Sequence, residues 1–201
     1  MRASLRYTVL LFAILLPVMA GADIYAARGL EAMPTPARYS VCFDHSCTTV
    51  VTDSLSESEW LQASAPLRGP VTSAADERGA IAAAIARFEE IVGRHTDTAG
   101  DRGRNLSGFG QPGQLDCIDE STNTTSYLRM LQQHELIRYH EVMDTATRFG
   151  LFVGMPHTTA VIHERDSGTH YAVDSWFFDN GQPPYIVRLE AWYAGVDPAD
   201  E

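Results

Sequence analysis

The stretch PHTTAVIHERDSGTHYAVD at residues 156–174 decides the predicted fold. Two segments rich in apolar and β-branched residues flank the turn-forming run Arg165-Asp166-Ser167-Gly168, and this pattern predicts an antiparallel hairpin. If the loop has an even length and closes around Asp166-Ser167, residues whose numbers sum to 333 lie opposite each other. His157 and Asp174 then become diagonal neighbours on one face of the sheet.

Helix patterns precede this hairpin. The segment Ser54–Glu59 has the composition of a helix start. A longer helix is predicted from about Ser73 to Gly93, because apolar residues recur there on one face: Ile81, Ile85, Phe88 and Val92. A further helix is predicted from Cys117 to Gln133, with a buried stripe of Ile118, Leu128 and Leu131.

Strand patterns follow the helices. The predicted strands are Leu136–Met143, Thr158–Glu164, Thr169–Phe177 and Tyr185–Tyr193, with an earlier strand-like segment at Tyr39–Thr52. Helices followed by a run of strands predict an α+β fold with an antiparallel sheet.

The first residues have the layout of an export signal. Residues 1–22 carry Arg2 and Arg6, then an apolar run, then the small-residue site Ala20-Gly21-Ala22, which is typical of a secretory signal peptide. An uncleaved N-terminal anchor is the alternative. We therefore expect a lead-in segment at 23–38, a single domain at 39–201, a periplasmic or secreted location, and no stable membrane span after cleavage.

Composition excludes several function classes. The chain has 15 basic and 26 acidic residues, a net charge of −11, and every basic residue is an arginine. Without lysine there is no Schiff-base amine, no pyridoxal-phosphate anchor and no P-loop. An acidic chain with no basic cluster is also a poor candidate for binding nucleic acid.

Two of the three cysteines lie close together in the sequence. Four residues separate Cys42 from Cys47, and cysteines on either side of a tight turn can reach disulfide distance. In an oxidising compartment we expect them to pair. Two reduced, buried thiols are the alternative, and a zinc site with His45 would need further ligands that the spacing does not supply.

The third cysteine is a candidate functional residue. A glycine-rich loop leads to Cys117 at the predicted helix start, where backbone N–H groups and the helix dipole favour a thiolate and lower its pKa. Asp116 and Asp119 act in the opposite direction, so a cationic partner is required. His157, oriented by Asp174, is the predicted partner. The alternative is that Cys117 is a small buried apolar residue.

The three motifs that carry this chemistry resemble a known family. They are Asp116-Cys117-Ile118-Asp119, Pro156-His157-Thr-Thr-Ala-Val and Tyr171-Ala-Val-Asp174-Ser-Trp176, separated by gaps of 40 and 17 residues from Cys117 to His157 to Asp174. The pattern is similar to the bacterial transglutaminase-like cysteine proteinases, a branch of the papain-like fold. The resemblance runs from Gln111 to Trp176. It implies N-terminal helices, with the nucleophile at a helix start packed on an antiparallel sheet.

That resemblance also implies residue roles. Cys117 would be the nucleophile, His157 the general base and acid, and Asp174 the orienting residue. Gln111 stands six residues before Cys117, the papain-like spacing for an amide that binds the oxyanion, and Gln114 is a rival for this role.

Two departures from the family pattern concern calcium, which some relatives bind through acids flanking the cysteine. Leu115 replaces the glycine before Asp-Cys, and Ile118 replaces the acid that follows the cysteine. No other cofactor is expected. Calcium stays only as a weak alternative with three candidate ligands: Asp116, Asp119 and Glu120.

The expected function is hydrolysis of an amide bond in a protein or peptide of the cell envelope, through a thioester on Cys117. Acyl transfer to an amine and a non-catalytic binding or assembly module are the alternatives. A zinc site shared by His163 and His170, which the predicted register pairs directly, lacks a third ligand at an obvious spacing.

Overall fold

A computed structural model of the chain describes residues 28–105, 110–152 and 155–198. Its helices are α1 (Glu57–Arg68), α2 (Ala74–Thr96), α3 (Cys117–Gln133) and α4 (Leu189–Tyr193). Its strands are β1 (Tyr39–Phe43), β2 (Thr49–Asp53), β3 (His140–Val142), β4 (Ala146–Phe152), β5 (Met155–Glu164), β6 (His170–Asp174) and β7 (Tyr185–Arg188). The predicted signal peptide at 1–22 lies outside the described residues. None of the helices in the described ranges combines the length and apolar composition needed to cross a membrane.

Helix α1 begins within the predicted segment Ser54–Glu59, and helix α2 begins next to Ser73, close to its predicted start. Ser56 caps α1 in a reciprocal capping box with Glu59, and Ser73 caps α2 by accepting the backbone N–H of Asp76. Each cap satisfies backbone donors that the first helical turn leaves without partners. Helix α2 extends to Thr96, three residues beyond the predicted end.

Helix α3 has the predicted bounds and lies at the centre of the molecule. It packs against β1, α2 and the strands β5 and β6. Leu128 and Leu131 are fully buried, whereas Ile118 is half-buried. The polar run Ser121–Ser126 is also buried, because its side chains bond locally: the Thr125 hydroxyl, for example, donates to a carbonyl one turn back at 2.7 Å. A helix surrounded on all sides can therefore keep a polar sequence.

The main sheet has the order β3-β5-β6-β7, all antiparallel, with β4 pairing the first half of β5. The predicted register of the hairpin is confirmed, since Ala160 faces Val173 and His163 faces His170. The imidazole centroids of this last pair lie 4.7 Å apart. Helices and antiparallel sheets in one chain agree with the predicted α+β class.

Four strand predictions need correction. Thr169–Phe177 is too long, since β6 ends at Asp174. Tyr39–Thr52 is two strands, β1 and β2, joined by a turn. Within Leu136–Met143 only His140–Val142 is a strand, because the Glu77 carboxylate accepts the preceding backbone N–H groups of Arg138 and Tyr139 at 2.7 and 2.9 Å.

Tyr185–Tyr193 divides into β7 and α4. The apolar residues at positions 189, 192 and 193 have helical rather than alternating spacing. Strand β4 was not predicted at all, since Arg148 and Gly150 interrupt its apolar pattern.

Candidate active site

Cys117 is the first residue of α3 and is half-buried. Its N-terminal neighbour Asp116 caps the helix, accepting the backbone N–H groups of Ile118 and Asp119 at 3.0 Å each. The side chain of Cys117 packs against the aromatic cluster that contains Trp176. The helix start thus holds the thiol at a defined place between α3 and the sheet.

His157 and Asp174 lie on the adjacent strands β5 and β6, as predicted. The Nε2 atom of His157 is 2.7 Å from the Oδ2 atom of Asp174. Both residues are buried, with 7% and 1% of their surfaces exposed. The imidazole is enclosed by three aromatic rings, with ring centroids at 4.8 Å (Trp176), 5.5 Å (Phe177) and 5.6 Å (Trp192). The three aromatic rings restrict the plane of the imidazole, and the hydrogen bond to Asp174 restricts its rotation about the side-chain bond.

The two residues that flank His157 both approach the sulfur of Cys117. The carbonyl oxygen of Pro156 lies 3.9 Å from Sγ, and the backbone N–H of Thr158 faces the sulfur. Because Asp174 occupies Nε2, the other ring nitrogen, Nδ1, is left for a different partner. Nδ1 makes no hydrogen bond to any residue that the structure describes.

The pKa of the Cys117 thiol differs from the expectation. The pKa is raised to about 12, mainly by burial, with smaller increases from the carboxylates of Asp116 and Asp174 that act against a lowering by the Thr158 backbone N–H. The helix start alone therefore does not create a standing thiolate, and the prediction of a lowered pKa is wrong. At neutral pH the thiol needs a base that removes its proton during the reaction.

The two glutamines proposed for the oxyanion have different environments. The Gln114 amide Nε2 donates to the carbonyl of Gly100 at 3.0 Å, and its Oε1 accepts the backbone N–H of Arg102 at 3.3 Å and the side-chain amide of Asn105. Gln114 therefore anchors the loop before α3. Gln111 is exposed, in a groove beside that loop.

Cys42 and Cys47 lie at disulfide distance, as the sequence predicts. The residues between them form a tight turn in which Asp44, His45, Ser46 and Cys47 all have positive φ, between 50° and 64°. Non-glycine residues rarely adopt this left-handed conformation in series. The turn points its backbone N–H groups at the first turn of α3.

The acids proposed as calcium ligands face these donors instead. The Asp119 carboxylate accepts the N–H groups of His45 and Cys47 at 2.8 and 2.5 Å, and Asp116 Oδ2 accepts that of Ser46 at 2.9 Å. Oxygens surrounded by N–H donors do not fit a cation. Among the described residues, the only three potential metal ligands close together are Cys42, Cys47 and Asp119, and the disulfide occupies both sulfurs.

Glu120, the third proposed ligand, belongs to a group of buried acids. Its side chain hydrogen-bonds to Asp101, with Glu89 nearby. Burial raises the pKa of Glu89 to about 8 and that of Asp101 to about 6. Burial thus favours the protonated form of each of these acids.

Two residues near His157 and Asp174 were missed by sequence reasoning. Trp192, which falls within the predicted strand Tyr185–Tyr193, donates its indole N–H to Asp174 Oδ2 at 2.7 Å. Arg148 is the cross-strand partner of His157 and is 3% exposed. A buried arginine on an unpredicted strand has no signal in a single sequence. The tryptophan stands in an apolar segment, where packing is the ordinary expectation.

Comparison of the chain with protein-family models, with curated proteins and with solved structures gives no match. The resemblance to transglutaminase-like cysteine proteinases therefore rests on the residues of this sequence.

Proposed function

We propose that this chain is an exported thiol hydrolase that cleaves amide bonds in a protein or peptide of the bacterial cell envelope. One observation carries the proposal: His157, hydrogen-bonded to Asp174 at 2.7 Å, lies between two residues that both approach the sulfur of Cys117. A nucleophile, a base and a residue that orients the base are the parts such a reaction needs.

The first half-reaction begins with proton transfer from Cys117 Sγ to Nδ1 of His157. Asp174 holds the imidazole through Nε2, which leaves Nδ1 as the basic nitrogen, and its charge stabilises the imidazolium. Sγ then bonds to the carbonyl carbon of the substrate and forms a tetrahedral oxyanion. When the C–N bond breaks, the imidazolium gives its proton to the leaving amine and a thioester remains on Cys117.

Water completes the reaction. Neutral His157 removes a proton from water, the resulting hydroxide attacks the thioester, and the thiol leaves with the proton that His157 returns. The backbone N–H of Cys117 is one oxyanion donor in this proposal, and Gln111 is the second. Gln114 is less suited, because its amide already anchors the neighbouring loop.

The papain-like, transglutaminase-like architecture is part of the same proposal. A helix that begins with the nucleophile packs on β5 and β6, the strands that carry His157 and Asp174. The Cys42–Cys47 pair supports a periplasmic or secreted location, since disulfides persist in oxidising compartments.

Alkylation of Cys117 tests the proposal. Iodoacetamide should label wild-type Cys117 at pH 7, and His157→Ala should slow this labelling at least roughly tenfold, because the variant has no base to remove the thiol proton as the sulfur reacts. His163→Ala, the same substitution six residues along β5, is the matched control and should label at the wild-type rate. Labelling that is indifferent to His157 would contradict the proposal.

Trapping separates hydrolysis from the alternatives. The protein is incubated with an envelope extract and quenched in acid, and its intact mass should then show a thioester on Cys117. Without the acid quench, hydrolysis should remove this adduct. An adduct that transfers only to an added amine would indicate acyl transfer. A reactive Cys117 that captures no acyl group would indicate a binding or assembly module.

A further inference from the structure

Trp192 connects the last helix to the candidate triad. Its side chain is fully buried, and its indole N–H donates to the same carboxylate oxygen of Asp174 that binds His157, with both distances 2.7 Å. The centroid of its ring lies 5.6 Å from that of the His157 imidazole. One side chain therefore touches both the orienting acid and the base.

Arg148 lies behind Trp192 on β4. Its guanidinium carbon is 4.4 Å from the centroid of the indole ring, and Nη1 donates to the Trp192 carbonyl oxygen. Its Nε and Nη2 atoms are buried and have no hydrogen-bond partner among the described residues. A buried cation with open donors is costly unless a nearby charge compensates it.

The charges around Arg148 supply that compensation. Burial lowers the pKa of Arg148, while the carboxylates of Asp174 and Asp197 and the phenol of Tyr185 act in the opposite direction. Four side chains from different elements therefore surround Asp174: Arg148 from β4, His157 from β5, Tyr185 from β7 and Trp192 from α4. The Asp174 carboxylate also raises the pKa of the Cys117 thiol on α3. Arg148 is the permanent cation of this group.

We propose that Trp192 and Arg148 are positioning residues of the triad, with the indole N–H fixing the Asp174 carboxylate and the guanidinium holding the indole and balancing the carboxylate charge. This inference rests on the proposed function, because it assigns the support of the same Cys117–His157–Asp174 site.

The physical reason is the shared oxygen. An oxygen that accepts two hydrogen bonds has a defined direction for each, so the imidazole cannot rotate without breaking a bond. The indole and the guanidinium both withdraw negative charge from Asp174. Each therefore offsets part of the carboxylate charge that would otherwise hold the proton on the imidazolium, so that the imidazolium can return its proton to the leaving amine.

The titration of His157 is the readout that a merely structural role would not move. The titration is followed by NMR in protein with labelled histidines, and the His157 signal is the one that is missing from His157→Gln. Its titration midpoint should move to higher pH in Trp192→Phe and in Arg148→Met. Arg148→Lys keeps the charge and should leave the midpoint unchanged. Trp60→Phe removes a buried indole from the core between α1 and α2 and should also leave the midpoint unchanged.

The alkylation rate supplies a second readout. Trp192→Phe should slow labelling of Cys117 at pH 7 by roughly tenfold, as expected for the loss of one hydrogen bond to a charged group, whereas Trp60→Phe should not slow it. If Trp192→Phe matches Trp60→Phe in both midpoint and rate, the assignment of Trp192 is wrong.

A separate outcome decides Arg148. If Arg148→Met folds and keeps the wild-type midpoint, the charge role is wrong, and if it does not fold, a midpoint shift in Arg148→Lys contradicts that role equally. If Cys117 is alkylated at the same rate in the wild type and in His157→Ala, the proposed function is wrong. The assignment of Trp192 and Arg148 as positioning residues is still tested separately, by the titration of His157.

Discussion

The Asp119 carboxylate accepts the backbone N–H of Cys47 at 2.5 Å and so ties the disulfide turn to the helix that begins with Cys117. The neighbouring cap residue Asp116 does the same for Ser46, through both its backbone N–H and its hydroxyl. The residues on either side of the candidate nucleophile are therefore held from outside the helix. The turn that holds them is left-handed at four consecutive non-glycine residues.

Replacing both disulfide cysteines should loosen this attachment. We expect Cys42→Ser/Cys47→Ser to lower the free energy of unfolding by about 2 kcal/mol, the chain-entropy value for so short a loop. Cys117 alkylation should slow as well, because the turn is then free to leave a conformation that costs about 1 to 2 kcal/mol per non-glycine residue.

Urea unfolding and labelling rates measure both effects. A dithiol reductant should reproduce them in the wild-type protein and do nothing to the double variant. Cys117→Ser, which leaves the pair intact, is the control for stability. Unchanged labelling in a destabilised double variant would mean that the turn contributes to folding but not to the position of the thiol.

Much of this site was accessible from the sequence, for a physical reason. An antiparallel hairpin with an even loop fixes which side chains share a face, so the proximity of His157 and Asp174 followed from counting. The start of α3 followed from the change at Cys117 from a glycine-rich loop to a helical apolar pattern. Both depend on interactions between residues near each other in the chain or in one register.

The missed contacts depend on longer connections. Trp192 reaches Asp174 only because the chain after β7 turns into a helix. Asp119 binds a turn that lies more than 70 residues earlier. No local pattern encodes these distances, and the raised pKa of Cys117 follows from burial that only the packed structure creates.

The buried acids predict that stability falls as pH rises. Because the pKa of Glu89 is raised to about 8, the folded state binds more protons than the unfolded state between about pH 4.5 and pH 8. The contribution is fully present below the unfolded pKa and is lost as pH rises through the folded one. We expect Glu89→Gln to flatten this dependence and to stabilise the protein at pH 8.

Unfolding midpoints in urea at pH 5 and pH 8 measure this difference. Glu90→Gln, an exposed neighbour on the same helix, is the control and should keep the wild-type dependence. A Glu89→Gln variant as sensitive to pH as the wild type would show that Glu89 is not the group that titrates.

His95 should add to the same trend through a different interaction. Its ring nitrogens lie 2.9 Å from Asp53 Oδ2 and 3.0 Å from Glu59 Oε1, and hydrogen bonds to these acids raise the pKa of His95. A raised histidine pKa stabilises the folded state below the unfolded value near 6.5, and the effect is lost as pH rises through the folded value.

His95→Ala should therefore cost more stability at pH 6 than at pH 9, by roughly 1 kcal/mol for a partly exposed ion pair. Thermal unfolding at the two pH values gives the comparison, with His163→Ala as the control on another surface. An equal loss at both values would assign His95 to packing rather than charge.

Substitutions of the two glutamines before α3 should have different effects on stability and on the rate of the reaction. Gln114→Ala removes three hydrogen bonds that hold the preceding loop, so we expect a loss of stability on the order of 1 to 3 kcal/mol. Gln111→Ala changes an exposed side chain and should leave stability unchanged. If Gln111 is the second oxyanion donor, the same variant should lower the rate of acyl-enzyme formation by roughly a hundredfold.

Two measurements distinguish these roles: urea unfolding, and the rate of thioester formation on Cys117 with a peptide mixture. Iodoacetamide labelling forms no oxyanion, so its rate should be equal in the wild type and in Gln111→Ala. The reverse pattern, with slow thioester formation in a stable Gln114→Ala and a normal rate in Gln111→Ala, would transfer the oxyanion role to Gln114. Equal rates in both variants would leave the backbone N–H of Cys117 as the donor on which the reaction depends.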